Sequence, residues 1–304
     1  MRVYCVQHDI RWENKAATIR SLRDLISGSR FDESSLVIFP EMFSTGFSFN
    51  RPVVVEGTAR TAERFLRAVA RERRVYVMGG VVAGGTRGKP GNECVVFSPD
   101  GSEVARYRKL QPFAPGGEAD NFAAGKEPLL FRWNGCLVAP FICYDLRFPE
   151  IQRPAARAGA QLITFIASWP DARLAHWVKL LQARAIENQC WVAGVNRIGR
   201  DPHLSYSGRS LIVNPHGEIV ADAGDDECVI GAEVDLGSLA AYRHDKPFLG
   251  DIRNDYLPAR KIRIFPAKAG SKRVRPLLGV FWRNNKRAIR PRRQPGGARF
   301  RQVF

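Results

Sequence analysis

Leu137-Val138-Ala139-Pro140-Phe141-Ile142-Cys143-Tyr144-Asp145-Leu146-Arg147-Phe148-Pro149-Glu150 is the stretch that decides how this chain is read. Its first six residues are apolar and short enough for a buried strand, and polar groups begin abruptly at Cys143. A thiol at the carboxyl end of a buried strand, just before a turn, is where open α/β folds place reactive groups. Two other segments repeat the pattern: Leu36-Val37-Ile38-Phe39-Pro40 delivers Glu41, and Val104-Ala105-Arg106-Tyr107-Arg108 delivers Lys109. A carboxylate, an ammonium and a thiol are together the parts of an acyl-transfer site. Singly, each has an ordinary structural role: a packed core thiol, a turn-capping acid, a solvated lysine.

An ordinary thiol is mostly protonated at neutral pH and needs a base within hydrogen-bond reach. Glu41 serves if burial beside other carboxylates raises its pKa. Lys109 would then face the oxyanion that develops on the attacked carbon. The backbone N–H of Tyr144, just after the thiol, would be a second donor. The five histidines show no metal-ligand spacing, which argues against metal catalysis.

Outward from these three points, strand-like runs fall at Arg2–Gln7, Leu36–Phe39, Val75–Val82, Glu93–Ser98, Leu137–Ile142, Gln161–Ala167, Cys190–Val195, Ser210–Asn214 and Cys228–Val234. Helical periodicity fits Asn14–Ser27, Arg60–Arg73, Ala172–Asn188 and the shorter Glu150–Arg157. The order predicts an α/β chain with two sheets sandwiched by helices, rather than a strictly alternating barrel. Residues 83–92 read as a turn or hairpin. The Gly88-Lys89 pair within it is no phosphate loop, because Ala83 stands where the first glycine belongs and Pro90 where Ser or Thr belongs.

The chain has 304 residues and a net charge of +17, but the charge is unevenly placed. Residues 260–304 hold 15 of the 47 Lys and Arg and no Asp or Glu, leaving 32 basic against 30 acidic residues before them. Residues 258–304 therefore read as a disordered basic tail, and a passive extension is favoured over a nucleic-acid-binding arm. The six cysteines form no C-x-x-C pair, and Cys5, Cys94, Cys136 and Cys190, in apolar or strand-like surroundings, read as free core thiols of a reducing compartment. No apolar run approaches the ~18 residues a bilayer span needs. The N-terminus reads as a strand rather than a signal peptide. The expectation is a cytoplasmic protein without membrane contact.

Phe39-Pro40-Glu41-Met42-Phe43-Ser44-Thr45-Gly46-Phe47, Tyr107-Arg108-Lys109-Leu110-Gln111-Pro112-Phe113 and Cys143-Tyr144-Asp145-Leu146-Arg147-Phe148-Pro149-Glu150 resemble, in order, the glutamate, lysine and cysteine motifs of the nitrilase (carbon–nitrogen hydrolase) superfamily. Ala167-Ser168-Trp169-Pro170, residues 183–189 and Asn214-Pro215-His216-Gly217-Glu218 are similar to further family segments. The resemblance covers residues 1–257. It implies a four-layer α-β-β-α sandwich, a homodimer or higher homo-oligomer, and cofactor-free hydrolysis of a small amide.

Carried over by motif, it implies Glu41 as base, Lys109 as oxyanion stabiliser, Cys143 as nucleophile and Glu118 as a second glutamate orienting Lys109 and the substrate. Within the superfamily, residues 41–47, 143–149 and 168–170, with His176-Trp177 following, look most like the omega-amidases, which cut the terminal amide of dicarboxylic monoamides such as 2-oxoglutaramate. That resemblance implies a small pocket walled by Phe43, Phe47, Phe113 and Trp169. Arg147 is a candidate for the substrate's distal carboxylate, against an internal ion pair with Asp145 or Glu150. Arg209-Ser210 departs from the Asp-Ser common in that subfamily. Same-fold alternatives are a nitrilase, an N-carbamoyl hydrolase or another aliphatic amidase; a nucleic-acid-binding protein acting through its tail is the alternative of another class.

Overall fold

Two mixed β-sheets lie face to face, each covered on its outer side by helices, in a computed structural model that describes residues 1–84, 88–253, 255 and 262–265. The first sheet contains Arg2–Gln7 (β1), Leu36–Ile38 (β2), Tyr76–Ala83 (β3), Gly91–Phe97 (β4) and Glu103–Arg108 (β5). The second is built from Leu129–Trp133 (β6), Cys136–Ile142 (β7), Leu162–Ile166 (β8) and Trp191–Val195 (β9). A two-stranded excursion, Ile198–Arg200 (β10) and Ser205–Ser207 (β11), precedes Leu211–Val213 (β12) and Ile219–Asp222 (β13), which extend the second sheet. Cys228–Glu233 (β14) returns to pair antiparallel with β1, and Arg263–Phe265 (β15) pairs parallel with β6. The strand orders are β14-β1-β2-β3-β4-β5 and β13-β12-β9-β8-β7-β6-β15.

The strands are apolar on both faces because both faces are covered. On β1, Val3 and Cys5 enter the core between the sheets, while Tyr4 and Val6 face the core under the helices. On β4, Cys94 and Val96 alternate in the same way with Val95 and Phe97. Helix Lys15–Ser27 starts at Asn14, whose side chain accepts from the Ala17 N–H, and it buries Thr18, Leu22 and Ile26 at four-residue spacing. Helix Thr61–Arg73 packs on β3 through Phe65, Leu66, Val69 and Ala70, and helix Leu174–Asn188 covers β9 with Trp177, Leu181 and Ala185.

The expected strands and helices are present, with ends moved by one or two residues. Ala83 pairs with Gly91, so residues 83–92 close a hairpin, of which residues 85–87 lie outside the described ones. One expectation is corrected. The reading of residues 258–304 as a tail without structure fails at β15, which pairs with the edge strand β6; its last residue Phe265 and the preceding Ile262 pack on the central core. The described residues all belong to one compact unit; of the expected tail, all but residues 262–265 lies outside them. No helix among the described residues is long and apolar enough to cross a membrane.

Candidate active site

Glu41, Lys109 and Cys143 each follow the carboxyl end of a strand. Glu41 comes three residues after β2 and Lys109 directly after β5, both on the first sheet; Cys143 directly follows β7 on the second. The site thus forms where the two sheets meet. Cys143 has a φ of +46°, a left-handed conformation uncommon for a residue with a side chain, at the start of the one-turn 3-10 helix Cys143–Arg147. That sharp exit presents the thiol at the floor of a cavity of about 560 Å³, a volume suited to a small molecule.

Asp145 holds the turn. Its carboxylate accepts from the Ile142 N–H at 3.0 Å, the Gln111 N–H at 2.8 Å and the Tyr107 hydroxyl at 2.7 Å. One side chain therefore ties the cysteine turn to the segment that carries Lys109. Burial raises the Asp145 pKa to about 7, against the pull of these donors. Gln152 Nε2 donates to the Asp145 carbonyl, and Arg184 donates twice to that of Leu146.

Lys109 Nζ sits 2.8 Å from both Glu41 Oε1 and Glu118 Oε2, and all three side chains are essentially inaccessible to solvent. Burial disfavours the Lys109 charge, but Glu118 and Glu41 outweigh it and hold its pKa well above the usual range. Asn92 Nδ2 donates to Glu41 Oε1 at 2.7 Å and to Glu118 Oε1 at 2.9 Å. The second oxygen of Glu41 accepts from the Ser168 N–H at 2.9 Å, and Glu118 also accepts from the Phe113 N–H. Burial first, then the Glu41 carboxylate, pushes the Cys143 thiol well above its ordinary pKa, with Lys109 pulling the other way. Any nucleophilic attack by this thiol therefore requires transfer of its proton.

Phe47, Phe113, Tyr144, Trp169 and Arg147 line the cavity with the reactive groups. Phe43 does not. Expected on the pocket wall, it is fully buried under the first sheet against Phe39 and Phe65, because the chain reverses at Met42 (φ +44°) and turns its side chain inward. Arg147 stacks on Trp169, 4.7 Å from the ring centroid, and makes no ion pair with Asp145 or Glu150 among the described residues. Arg209 forms a two-pronged pair with Asp222.

Sequence reasoning missed Asn92, the backbone N–H of Ser168, and the cavity residues Trp12, Arg173, His203 and Tyr206. Asn92 stands 51 residues from Glu41 and 26 from Glu118, so no local pattern marks it. Ser168 lay within a quoted family segment, but a backbone donor leaves no trace in side-chain identity.

The carbon–nitrogen hydrolase family profile matches residues 2–244. The chain belongs to that family. It is 33% identical over 254 residues to the 2-oxoglutaramate amidase of Bacillus subtilis (strain 168), covering 83% of this chain and 98% of that one. It is 35% identical over 255 residues to the omega-amidase YafV of Yersinia enterocolitica, covering 83% and 96%. Among solved structures, a CN-hydrolase superfamily protein from Xanthomonas campestris superposes with a TM-score of 0.78 at 31% identity, over 85% of this chain and 99% of that one. A variant of an amidase from Nesterenkonia AN1, of the nitrilase superfamily, gives a TM-score of 0.71 at 26% identity, over 84% and 95%. This carbon–nitrogen hydrolase acts on amides, through a cysteine.

Proposed function

We propose that the protein is an omega-amidase, releasing ammonia from the terminal amide of short dicarboxylic monoamides of the 2-oxoglutaramate type through a thioester. The observation that carries the reading is the Lys109 ammonium, held between Glu41 and Glu118 beside Cys143 on the floor of an aromatic-walled cavity. Glu41 takes the Cys143 proton as Sγ bonds to the amide carbon. The Lys109 ammonium and the Tyr144 N–H stabilise the resulting oxyanion. The C–N bond then breaks as the proton on Glu41 passes to the departing nitrogen, leaving ammonia and a thioester.

Water gives a proton to Glu41, its oxygen bonds to the thioester carbon, and the C–S bond breaks. The acid leaves, and the sulfur recovers the proton from Glu41. Two lower barriers replace one high one. Glu118 touches neither nucleophile nor water in this scheme; it fixes where Lys109 points. Asn92 holds both carboxylates, so the base and the lysine keep one geometry through both halves. Assembly as a homodimer or higher homo-oligomer belongs to the same reading and is tested by sedimentation.

The decisive assay compares ammonia release from 2-oxoglutaramate and succinamate with turnover of a simple nitrile and an N-carbamoyl amino acid. Fast release from the first two is expected. Turnover of only the nitrile or the carbamoyl compound would move the protein to another specificity within its family.

A further inference from the structure

The charged groups lining the cavity fall into two classes. All the carboxylates there have donors of the protein itself. Glu13 accepts from Ser48 Oγ at 2.5 Å and Asn50 Nδ2 at 2.7 Å. Asp201 accepts from the Tyr206 hydroxyl at 2.7 Å and from the His203 and Leu204 N–H groups, each at 2.8 Å. Glu41 is engaged by Lys109, Asn92 and the Ser168 N–H, as described above.

The two lining guanidiniums differ. Arg147 and Arg173 both open on the cavity, and neither pairs with a carboxylate among the described residues. Each instead lies against an aromatic wall, Arg147 4.7 Å from the Trp169 centroid and Arg173 5.5 Å from that of Phe113. Both terminal nitrogens of Arg147 lie 3.4 Å from Nδ1 of His176, a weak contact. Stacking occupies the face of a guanidinium and leaves the N–H groups on its edge free. The two walls are also coupled, because Trp169 Nε1 donates to the Arg173 carbonyl at 2.8 Å. Two braced cations with unspent donors, above a thiol that attacks a neutral amide, call for an anionic group on the substrate.

We propose that Arg147 and Arg173 together form the specificity site, holding the carboxylate at the end of the substrate remote from the scissile amide. The assignment rests on the omega-amidase reading and deepens it by naming what recognises the dicarboxylic substrate. A carboxylate matches the fork of a guanidinium, and two forks can share its oxygens. Arg173 is the new member. It ends the short 3-10 helix Asp171–Arg173 between β8 and the helix Leu174–Asn188, and carries no motif signal of its own.

The test reads selectivity. For the wild-type enzyme, kcat/KM is measured for succinamate and for butanamide, the uncharged amide of equal chain length, and the ratio is taken. Arg147→Gln and Arg173→Gln should each lower that ratio about 10–100-fold, chiefly by raising KM for succinamate, as expected for losing a charge-assisted hydrogen bond. Lysine at either position should restore part of it, since charge returns without the fork. An unchanged ratio in both Gln variants overturns the clamp while leaving the omega-amidase reading intact.

Should a substitution cost the fold, the wild-type enzyme answers alone. Butanoate should inhibit succinamate turnover competitively and butan-1-ol should not, and equal inhibition by the two overturns the proposal. A wild-type enzyme that turns over neither succinamate nor 2-oxoglutaramate sinks the omega-amidase reading itself.

Discussion

Lys109 carries the charge balance of the site. Two buried carboxylates converge on it at 2.8 Å, so removing the cation leaves them facing each other without compensation. Breaking a buried pair in this way typically costs about 3–5 kcal/mol. Lys109→Met should therefore abolish turnover and also lower stability, by roughly 3 kcal/mol or more in urea unfolding. A variant as stable as wild type would show that the trio is less strained than its burial implies. Cys143→Ala is the contrasting case. Losing one sulfur atom should leave the melting temperature within a few degrees of wild type and remove ammonia release entirely, and retained turnover would sink the thiol mechanism. The sequence made Glu41, Lys109 and Cys143 legible because each terminates an apolar run and stands in a motif. Asn92 and Arg173 were illegible because their partners are brought to them only by folding.

At the level of elements, the loop after β2 depends on close backbone packing. Gly80 on β3 lies beneath it, accepting from the Phe43 N–H and donating to the Pro40 carbonyl. A Cβ there would come within 2.5 Å of the Met42 nitrogen and 2.6 Å of the Glu41 Cα, backbone that cannot swing away. Gly80→Ala should displace Glu41, cutting kcat at least about tenfold and costing about 1–3 kcal/mol of stability. Normal kinetics would mean that the loop has slack. The same loop is pinned from the other side by His8, buried after β1, with Nε2 2.9 Å from the Phe43 carbonyl. Burial lowers the His8 pKa from 6.5 to about 4, so the unfolded chain binds its proton first as pH falls. The stability of neutral His8 is complete above about pH 6.5 and is lost as pH falls through about 4, amounting to roughly 3 kcal/mol. His8→Gln should flatten the melting temperature across that window; an unchanged acid slope would assign the sensitivity to other groups.

For the whole molecule, β15 marks where the folded unit extends beyond the family match. It covers the β6 edge, with Ile262 and Phe265 against the central core. A chain ending at Lys261 should lose about 1–2 kcal/mol relative to one ending at Ala269 and aggregate more readily through the bared edge. Equal stability of the two truncations would make β15 dispensable. Its three residues between basic and proline-rich neighbours offer no periodicity, which is why sequence reading placed them in a tail; β6 went unassigned, its apolar run being short and broken by Arg132. An aromatic two residues after Glu41 suits a pocket wall and a core equally well, and only the reversal at Met42 puts Phe43 in the core. By itself the sequence determined the layered α/β fold, the family and the order in which Glu41, Lys109 and Cys143 follow their strands. Those rest on local periodicity and on short contiguous motifs. Tertiary structure alone decided the shared amide of Asn92, the Asp145 tie between two segments and the two guanidiniums facing the cavity, because each joins residues distant along the chain, and proximity of that kind comes only from packing one sheet on the other.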